Sequence, residues 1–142
     1  MGIGAVVVHG GDVLLIKRGK PPRAGWWSLP GGAQKVGETV FQGALREVKE
    51  ETGVDVEIIG LIDVVDSMTR DSQGKVQYHY TLVDLACRWV SGDTIAGGDA
   101  ADAKWFTPFE IDDLDLWYET RRIISLALEM AASETPTEGS SA

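Results

Sequence analysis

The chain has 142 residues, of which 44% are hydrophobic and 25% are charged, a composition typical of one globular domain. Its formal net charge is −9, which argues against a nucleic-acid partner, because proteins grip phosphates mainly through lysine and arginine. No apolar run approaches the roughly 20 residues that span a bilayer, and the N-terminus lacks the pattern of a signal peptide, so we expect a cytoplasmic protein with no membrane partner.

Two short apolar runs rich in β-branched residues open the chain, at residues 4–9 and 13–17. The Gly10-Gly11 pair between them is a turn sequence, so the pattern predicts a β-hairpin. Glycine and proline are frequent in residues 19–32, and this stretch is predicted to be a loop.

A helix is predicted for residues 40–52. Thr39 and Gln42 have the spacing of a capping box at its start, and Gly53 is placed to end it in a left-handed conformation. Its apolar residues recur at helical spacing and are expected to face the core: Phe41, Ala44, Leu45 and Val48.

The remaining elements are predicted from the same signals: strands at 54–65 and 75–87 joined by a polar stretch at 67–74, a loop at 92–102, a short strand at 103–107 and a helix at 116–132. The single cysteine, Cys87, cannot form an internal disulfide and is expected to be a small buried residue. Residues 1–132 are therefore predicted to form one domain. Residues 133–142 offer little to bury, and we expect a disordered tail there.

Three glutamates lie at positions i, i+3 and i+4 of the first predicted helix: Glu47, Glu50 and Glu51. This spacing makes their side chains neighbours, where like charges repel and raise one another's pKa. They also lie near the C-terminal end of the helix, where the dipole disfavours anions. Divalent cations such as Mg²⁺ would compensate, since they prefer oxygen ligands. The alternative is a solvated acidic face that only aids solubility.

A spaced motif surrounds this triplet. Gly32 is followed after five residues by Glu38, and seven residues later comes the segment Arg46-Glu47-Val48-Lys49-Glu50-Glu51-Thr52-Gly53-Val54. This pattern resembles the Nudix box without a departure. The Trp27-to-Gly31 segment before the box and the later Lys104-Trp105-Phe106 segment are also similar to that family, and the resemblance covers residues 1–132.

The resemblance implies an α/β fold, a Nudix-type α/β/α sandwich around a mixed β-sheet, with the box forming a loop-helix-loop. It also implies a pyrophosphohydrolase that binds Mg²⁺ or Mn²⁺ through Glu47, Glu50, Glu51 and the carbonyl of Gly31. Arg46 would orient these glutamates, and a bound water of lowered pKa would attack phosphorus. Residues with a structural role in the motif would be Gly32, Glu38 and Gly53.

The general base is not fixed by the motif, because it varies among similar enzymes. Glu47 is one candidate. Asp99, in a loop six residues before Trp105, is another, and Asp102 competes for the same role.

Substrate contacts are expected from the loop before the box. Arg18 and Arg23 could bind phosphate bidentately, although a solvated surface role is open for each. Trp26 and Trp27 are adjacent and point to opposite faces of an extended segment. We expect Trp26 to stack on a base and Trp27 to pack in the core.

The chain is most similar to short bacterial ADP-ribose pyrophosphatase-like members of the family. The expected substrate is a nucleoside diphosphate derivative such as ADP-ribose or a nucleotide sugar. A (d)NTP pyrophosphohydrolase that releases the monophosphate and pyrophosphate is the first alternative. A non-catalytic nucleotide-sensing module is an alternative of another class, although such modules usually lose a box glutamate. A homodimer is possible for this type of protein.

Overall fold

A computed structural model describes residues 1–21 and 23–134 of the chain. Within these residues, one mixed sheet carries helices on both faces, which confirms the predicted α/β class. The elements in chain order are β1 Gly2–His9, β2 Asp12–Arg18, β3 Trp27–Ser28, β4 Gly31–Ala33, α1 Val40–Thr52, β5 Asp55–Arg70, β6 Val76–Ser91, β7 Ala100–Phe106, α2 Pro108–Asp112 and α3 Tyr118–Glu134.

The sheet places β1 at its centre. The strands β3, β2, β1, β6 and β5 lie side by side, while β4 pairs with β1 and β7 pairs with β2. Strands β1 and β6 run parallel, and the other pairs are antiparallel. The predicted opening hairpin is confirmed, with its turn at Gly10 and Gly11, both of which have positive φ.

Alternate residues of β1 enter two separate cores, as the period of a strand requires. Val6 and Val8 belong to a core with Ile123 and Ile124 of α3. The residues Ile3, Ala5 and Val7 belong to the other core, with Ala44 and Val48 of α1. Helices α1 and α3 therefore cover opposite faces of the sheet, the layering that the sequence resemblance implied.

Helix α1 has the predicted bounds of 40–52, but two of its residues were assigned to the wrong face. Ala44 and Val48 are buried as expected, whereas Phe41 is 49% and Leu45 is 39% exposed. The physical reason is a close contact at Gly43, where an added Cβ would lie 2.5 Å from Cδ1 of Ile3. The helix packs on this small-residue side, which turns its larger apolar residues outward.

The central hairpin is longer than the sequence predicted. Strands β5 and β6 have 16 residues each, so the first half of the expected connection at 67–74, residues 67–70, is strand. Ser67 pairs with Tyr80 and Thr69 with Tyr78 in the continued ladder. The strands extend beyond their apolar residues, because the hydrogen bonds between paired backbones do not depend on side-chain polarity.

The other differences lie in short or terminal elements. The predicted loop at 19–32 contains the two-residue strand β3 and the start of β4, and β7 begins three residues before its predicted start. Helix α2 was missed, although Thr107 and Glu110 form a complete capping box there. Helix α3 includes Ser133 and Glu134, which the sequence assigned to the tail; the rest of that tail, 135–142, lies outside the described residues. Cys87 is buried, as predicted.

Candidate active site

The three box glutamates are neighbours on α1 but differ in exposure. The side chain of Glu50 is 48% exposed, whereas the Glu47 side chain is only 13% exposed and Glu51 is buried. The uniformly solvated acidic face that was open as an alternative is therefore wrong. Two of the three carboxylates have lost most of their contact with water, which costs free energy.

Strand β4 places the glycine segment, Gly31 and Gly32, against these carboxylates. The backbone N–H of Gly31 donates a 2.8 Å hydrogen bond to Oε1 of Glu51. At Gly32, an added Cβ would lie 2.0 Å from Oε2 of Glu47. The backbone can therefore approach the carboxylates only because residue 32 lacks a side chain.

Arg46 connects the helix to the loop that precedes it. Its guanidinium donates to both carboxylate oxygens of Glu38, at 2.9 and 2.7 Å, and to Oε1 of Glu50 at 3.1 Å. Its distance to Oε2 of Glu47 is 3.4 Å. Two parallel hydrogen bonds to one carboxylate, as Arg46 makes to Glu38, require the planar guanidinium of arginine. These bonds are the main reason why the pKa of Glu38 is lowered to about 2. The same carboxylate accepts the N–H of Lys35, which closes the loop.

Burial and crowding raise the pKa values of the two less exposed glutamates. For Glu51, burial is the main cause, the Gly31 hydrogen bond opposes it, and the charges of Glu47 and Asp99 add to it, giving a pKa of about 7. For Glu47, burial raises the pKa, Arg46 opposes that effect and Glu50 adds to it. A cation that entered their cavity would therefore stabilise the ionised form of both carboxylates.

Asp99 lies with the box glutamates along a cavity of about 380 Å³. It is exposed and forms an ion pair of 2.9 Å with Lys20. Asp102 lies outside this cavity, on β7, where its carboxylate accepts the N–H of Ala103. Of the two aspartates weighed as a general base, only Asp99 is brought to the glutamates.

In the described ranges 1–21 and 23–134, no three acidic, histidine or cysteine side chains converge closely enough to hold a metal ion as they stand. Glu50 is directed towards Arg46. The ligand roles of the three glutamates and of the Gly31 carbonyl therefore stay predictions.

A second cavity of about 820 Å³ is lined by Gly31 and Gly32, which lie against Glu51 and Glu47 of the first cavity. The three residues predicted to contact substrate also line the second cavity: Arg18, Arg23 and Trp26. The guanidinium of Arg23 lies 5.4 Å from the centre of the Trp26 ring. Trp27 packs edge-on against Phe106 at 4.8 Å, which confirms its predicted place in the core.

Sequence reasoning missed two acidic residues of the larger cavity, Asp84 on β6 and Glu119 on α3. Asp84 is 5% exposed. The available signal was its position inside an otherwise apolar run, Leu82-Val83-Asp84-Leu85-Ala86-Cys87. A buried carboxylate in a strand requires a purpose or a partner.

Residues 1–127 match the family model of the NUDIX domain. The chain belongs to the Nudix family. Its Nudix box, residues 32–54, supplies the last two residues of β4, the loop after it and α1, so the sequence assignment of the family is confirmed.

Individual members of the Nudix family are also similar to this chain in sequence and in structure. The ADP-ribose pyrophosphatase of Methanocaldococcus jannaschii is 36% identical over 104 residues, 73% of this chain and 59% of that protein. This chain thus spans about three fifths of that relative's length. A MutT Nudix hydrolase from Burkholderia pseudomallei has a TM-score of 0.72 and 32% identity, over 88% of this chain and 95% of that one.

A further solved structure contains a ligand. The Nudix domain of Shewanella oneidensis NrtR, complexed with ADP ribose, has a TM-score of 0.71 and 25% identity, and the match covers 90% of this chain and 85% of that one. Across the part of the present chain that the structure describes, no helix has the length and apolar character needed to cross a membrane.

Proposed function

We propose that this chain hydrolyses the diphosphate linkage of a nucleoside diphosphate derivative, such as ADP-ribose or a nucleotide sugar, in a reaction that depends on Mg²⁺ or Mn²⁺. The observation that carries the proposal is the pair of poorly solvated carboxylates, Glu47 and Glu51, held against the backbone of Gly31 and Gly32. Such an arrangement costs folding free energy unless a cation compensates the two charges.

The residues present fit a divalent cation in their chemistry. Every acidic group along the smaller cavity offers carboxylate oxygens: Glu47, Glu50, Glu51 and Asp99. Mg²⁺ prefers such ligands and keeps several waters, and the Gly31 carbonyl would add a neutral oxygen. When bound, the cation would neutralise the diphosphate and lower the pKa of a water. Glu50 would have to turn from Arg46 to take part.

The protein's own groups account for the other steps. Arg18 and Arg23 would bind the phosphate oxygens at the mouth of the larger cavity, and Trp26 would stack on the base. Glu47 or Asp99 would accept a proton from the attacking water. The new O–P bond would form as the bridging O–P bond breaks, and the leaving phosphate would take the bridging oxygen.

The substrate class is supported by the similarity to the M. jannaschii ADP-ribose pyrophosphatase and to the NrtR Nudix domain that binds ADP ribose. The MutT name of the B. pseudomallei structure is the observation that keeps (d)NTP hydrolysis as a second candidate. The intact set of box glutamates favours an enzyme over a nucleotide-sensing module.

A product-resolved assay with ADP-ribose, nucleotide sugars and (d)NTPs, with and without Mg²⁺, tests the proposal. We expect Mg²⁺-dependent release of AMP from ADP-ribose, and losses of turnover of at least about 10²-fold in Glu50→Gln and Glu51→Gln. Glu57→Gln is the matched control, because Glu57 is an exposed glutamate of β5 paired with Arg88.

Two results would contradict the proposal. One is equal turnover of the box variants and the control at saturating Mg²⁺. The other is hydrolysis confined to (d)NTPs, with pyrophosphate as the product, which would establish the second candidate instead.

A further inference from the structure

A buried carboxylate forms part of the floor of the larger cavity. Asp84 lies on β6 directly beside Gly4 of β1, and an added Cβ at Gly4 would lie 2.2 Å from its Oδ1. The absence of a side chain at residue 4 thus makes room for the carboxylate. Asp84 is only 5% exposed, yet it lines the cavity.

The Asp84 carboxylate has no hydrogen-bond donor among residues 1–21 and 23–134. In the same residues, no fully enclosed side-chain oxygen or nitrogen lacks a partner, so the Asp84 oxygens must reach the cavity. The nearby cation, Arg122, is bound instead to Asp63 at 3.0 Å and to Glu119 at 2.5 Å. A buried acceptor of this kind is costly until a ligand donates to it.

The charged groups around Asp84 come from two elements. Asp63 is its partner on β5, and Glu119 and Arg122 belong to α3. Burial is the main cause that raises the pKa of Asp84 to about 6; Asp63 and Glu119 raise it as well, and Arg122 lowers it. The carboxyl group therefore accepts a proton more readily than an exposed aspartate does.

The cavity that Asp84 lines is rich in aromatic side chains. Its walls include five aromatic side chains: Trp26, Trp27, Tyr78, Tyr80 and Trp117. Aromatic faces stack on nucleobases in a way that tolerates any base. Selection among bases must then come from a polar group at the edge of the ring, and Asp84 is placed to supply it.

The distance between Asp84 and Gly31 suits the length of a nucleotide. Gly4 pairs with Gly31 on one side and with Asp84 on the other, so Asp84 and Gly31 are two strand spacings apart, about 10 Å. A phosphate near Gly31 and a base edge at Asp84 would span about the length of one nucleoside monophosphate.

We propose that Asp84 is a specificity residue that reads the amino-bearing edge of adenine in the larger cavity. Its carboxyl group accepts an N–H of the exocyclic amino group while the ring stacks on the aromatic walls. A carboxyl group that protonates readily also offers a donor beside its acceptor, the complement of adenine N1 and its amino group. This inference rests on the proposed function only in its choice of adenine over other bases.

The test measures binding of AMP and of purine riboside 5′-monophosphate, which lacks only the amino group, by titration calorimetry. We expect the parent protein to bind AMP at least about 10-fold more tightly. Asp84→Ala should reduce this ratio to about 2-fold or less, and Asp84→Asn, which keeps an acceptor, should retain most of it. Asp66→Ala is the matched control, because Asp66 lies on the opposite face of the hairpin, paired with His79.

Three results would overturn the inference: an unchanged AMP preference in Asp84→Ala, loss of that preference in Asp66→Ala, or tighter binding of GMP than of AMP by the parent. Circular dichroism checks that each variant is folded. If the alanine variant fails to fold, the parent protein still tests the inference, because equal binding of AMP and purine riboside 5′-monophosphate by the parent would overturn it. Because binding is measured without turnover, loss of selectivity in Asp84→Ala would support the inference even if ADP-ribose were not hydrolysed.

Discussion

Replacing Glu51 by glutamine is expected to stabilise the metal-free protein at alkaline pH. The side chain is buried, and its pKa is about 7 rather than 4.5. A group whose pKa is higher in the folded state than in the unfolded state binds more protons when folded. Its contribution therefore reduces the free energy of unfolding as the pH rises from 4.5 through about 7.

The size of this effect follows from the two pKa values. The pKa differs between 4.5 and about 7, and each pH unit is worth about 1.4 kcal/mol. The free energy of unfolding that ionisation of Glu51 removes is therefore at most about 3 kcal/mol. Solvent that reaches the carboxylate through the cavity reduces it, so we expect a gain of about 1–3 kcal/mol in Glu51→Gln at about pH 8. Glutamine keeps an acceptor for the Gly31 N–H. Near pH 5, only half a pH unit above the unfolded-state pKa of 4.5, the gain should be below about 1 kcal/mol.

Urea denaturation in the presence of a chelator, at about pH 5 and about pH 8, measures the difference. Glu50→Gln is the matched control, because Glu50 is half-exposed and its ion pair with Arg46 is worth at most about 1 kcal/mol. A Glu51→Gln variant that is less stable than the parent at pH 8 would refute the reasoning, as would the same gain at both pH values.

Two further outcomes follow from burial and close contacts. Gly32→Ala should lower turnover by about 10- to 100-fold, because its Cβ would displace the Glu47 carboxylate, 2.0 Å away. The control variant Gly60→Ala should keep its turnover, because its Cβ would meet only the flexible end of Met130, 3.3 Å away; similar kinetics for both variants would count against this placement. Cys87 is buried with a pKa of about 12, so a thiol reagent should label it only as the protein unfolds; rapid labelling of the native protein would contradict this.

Features that depend on nearby residues could be predicted from the sequence. Helix α1 begins and ends at the predicted residues, because the Thr39–Gln42 capping box and the left-handed Gly53 are local signals. The Nudix box was recognised for a similar reason, since its spacing is fixed along one loop and one helix. Arg18, Arg23 and Trp26 precede the box and line the larger cavity, and their contacts with substrate stay predictions.

Features that depend on distant strands could not be predicted this way. The 16-residue length of β5 and β6 results from backbone pairing across the hairpin. The outward position of Phe41 is set by the contact between Gly43 and Ile3.

By itself, the sequence determined the family, the bounds of the helix in the Nudix box and the crowding of three glutamates within one turn, because helical spacing follows directly from residue order. Only the tertiary structure decided which of those carboxylates lose water, and that Asp84 opens into an aromatic cavity beside Gly4. Burial depends on which strands lie next to one another, and that order is set by contacts between residues far apart in the chain.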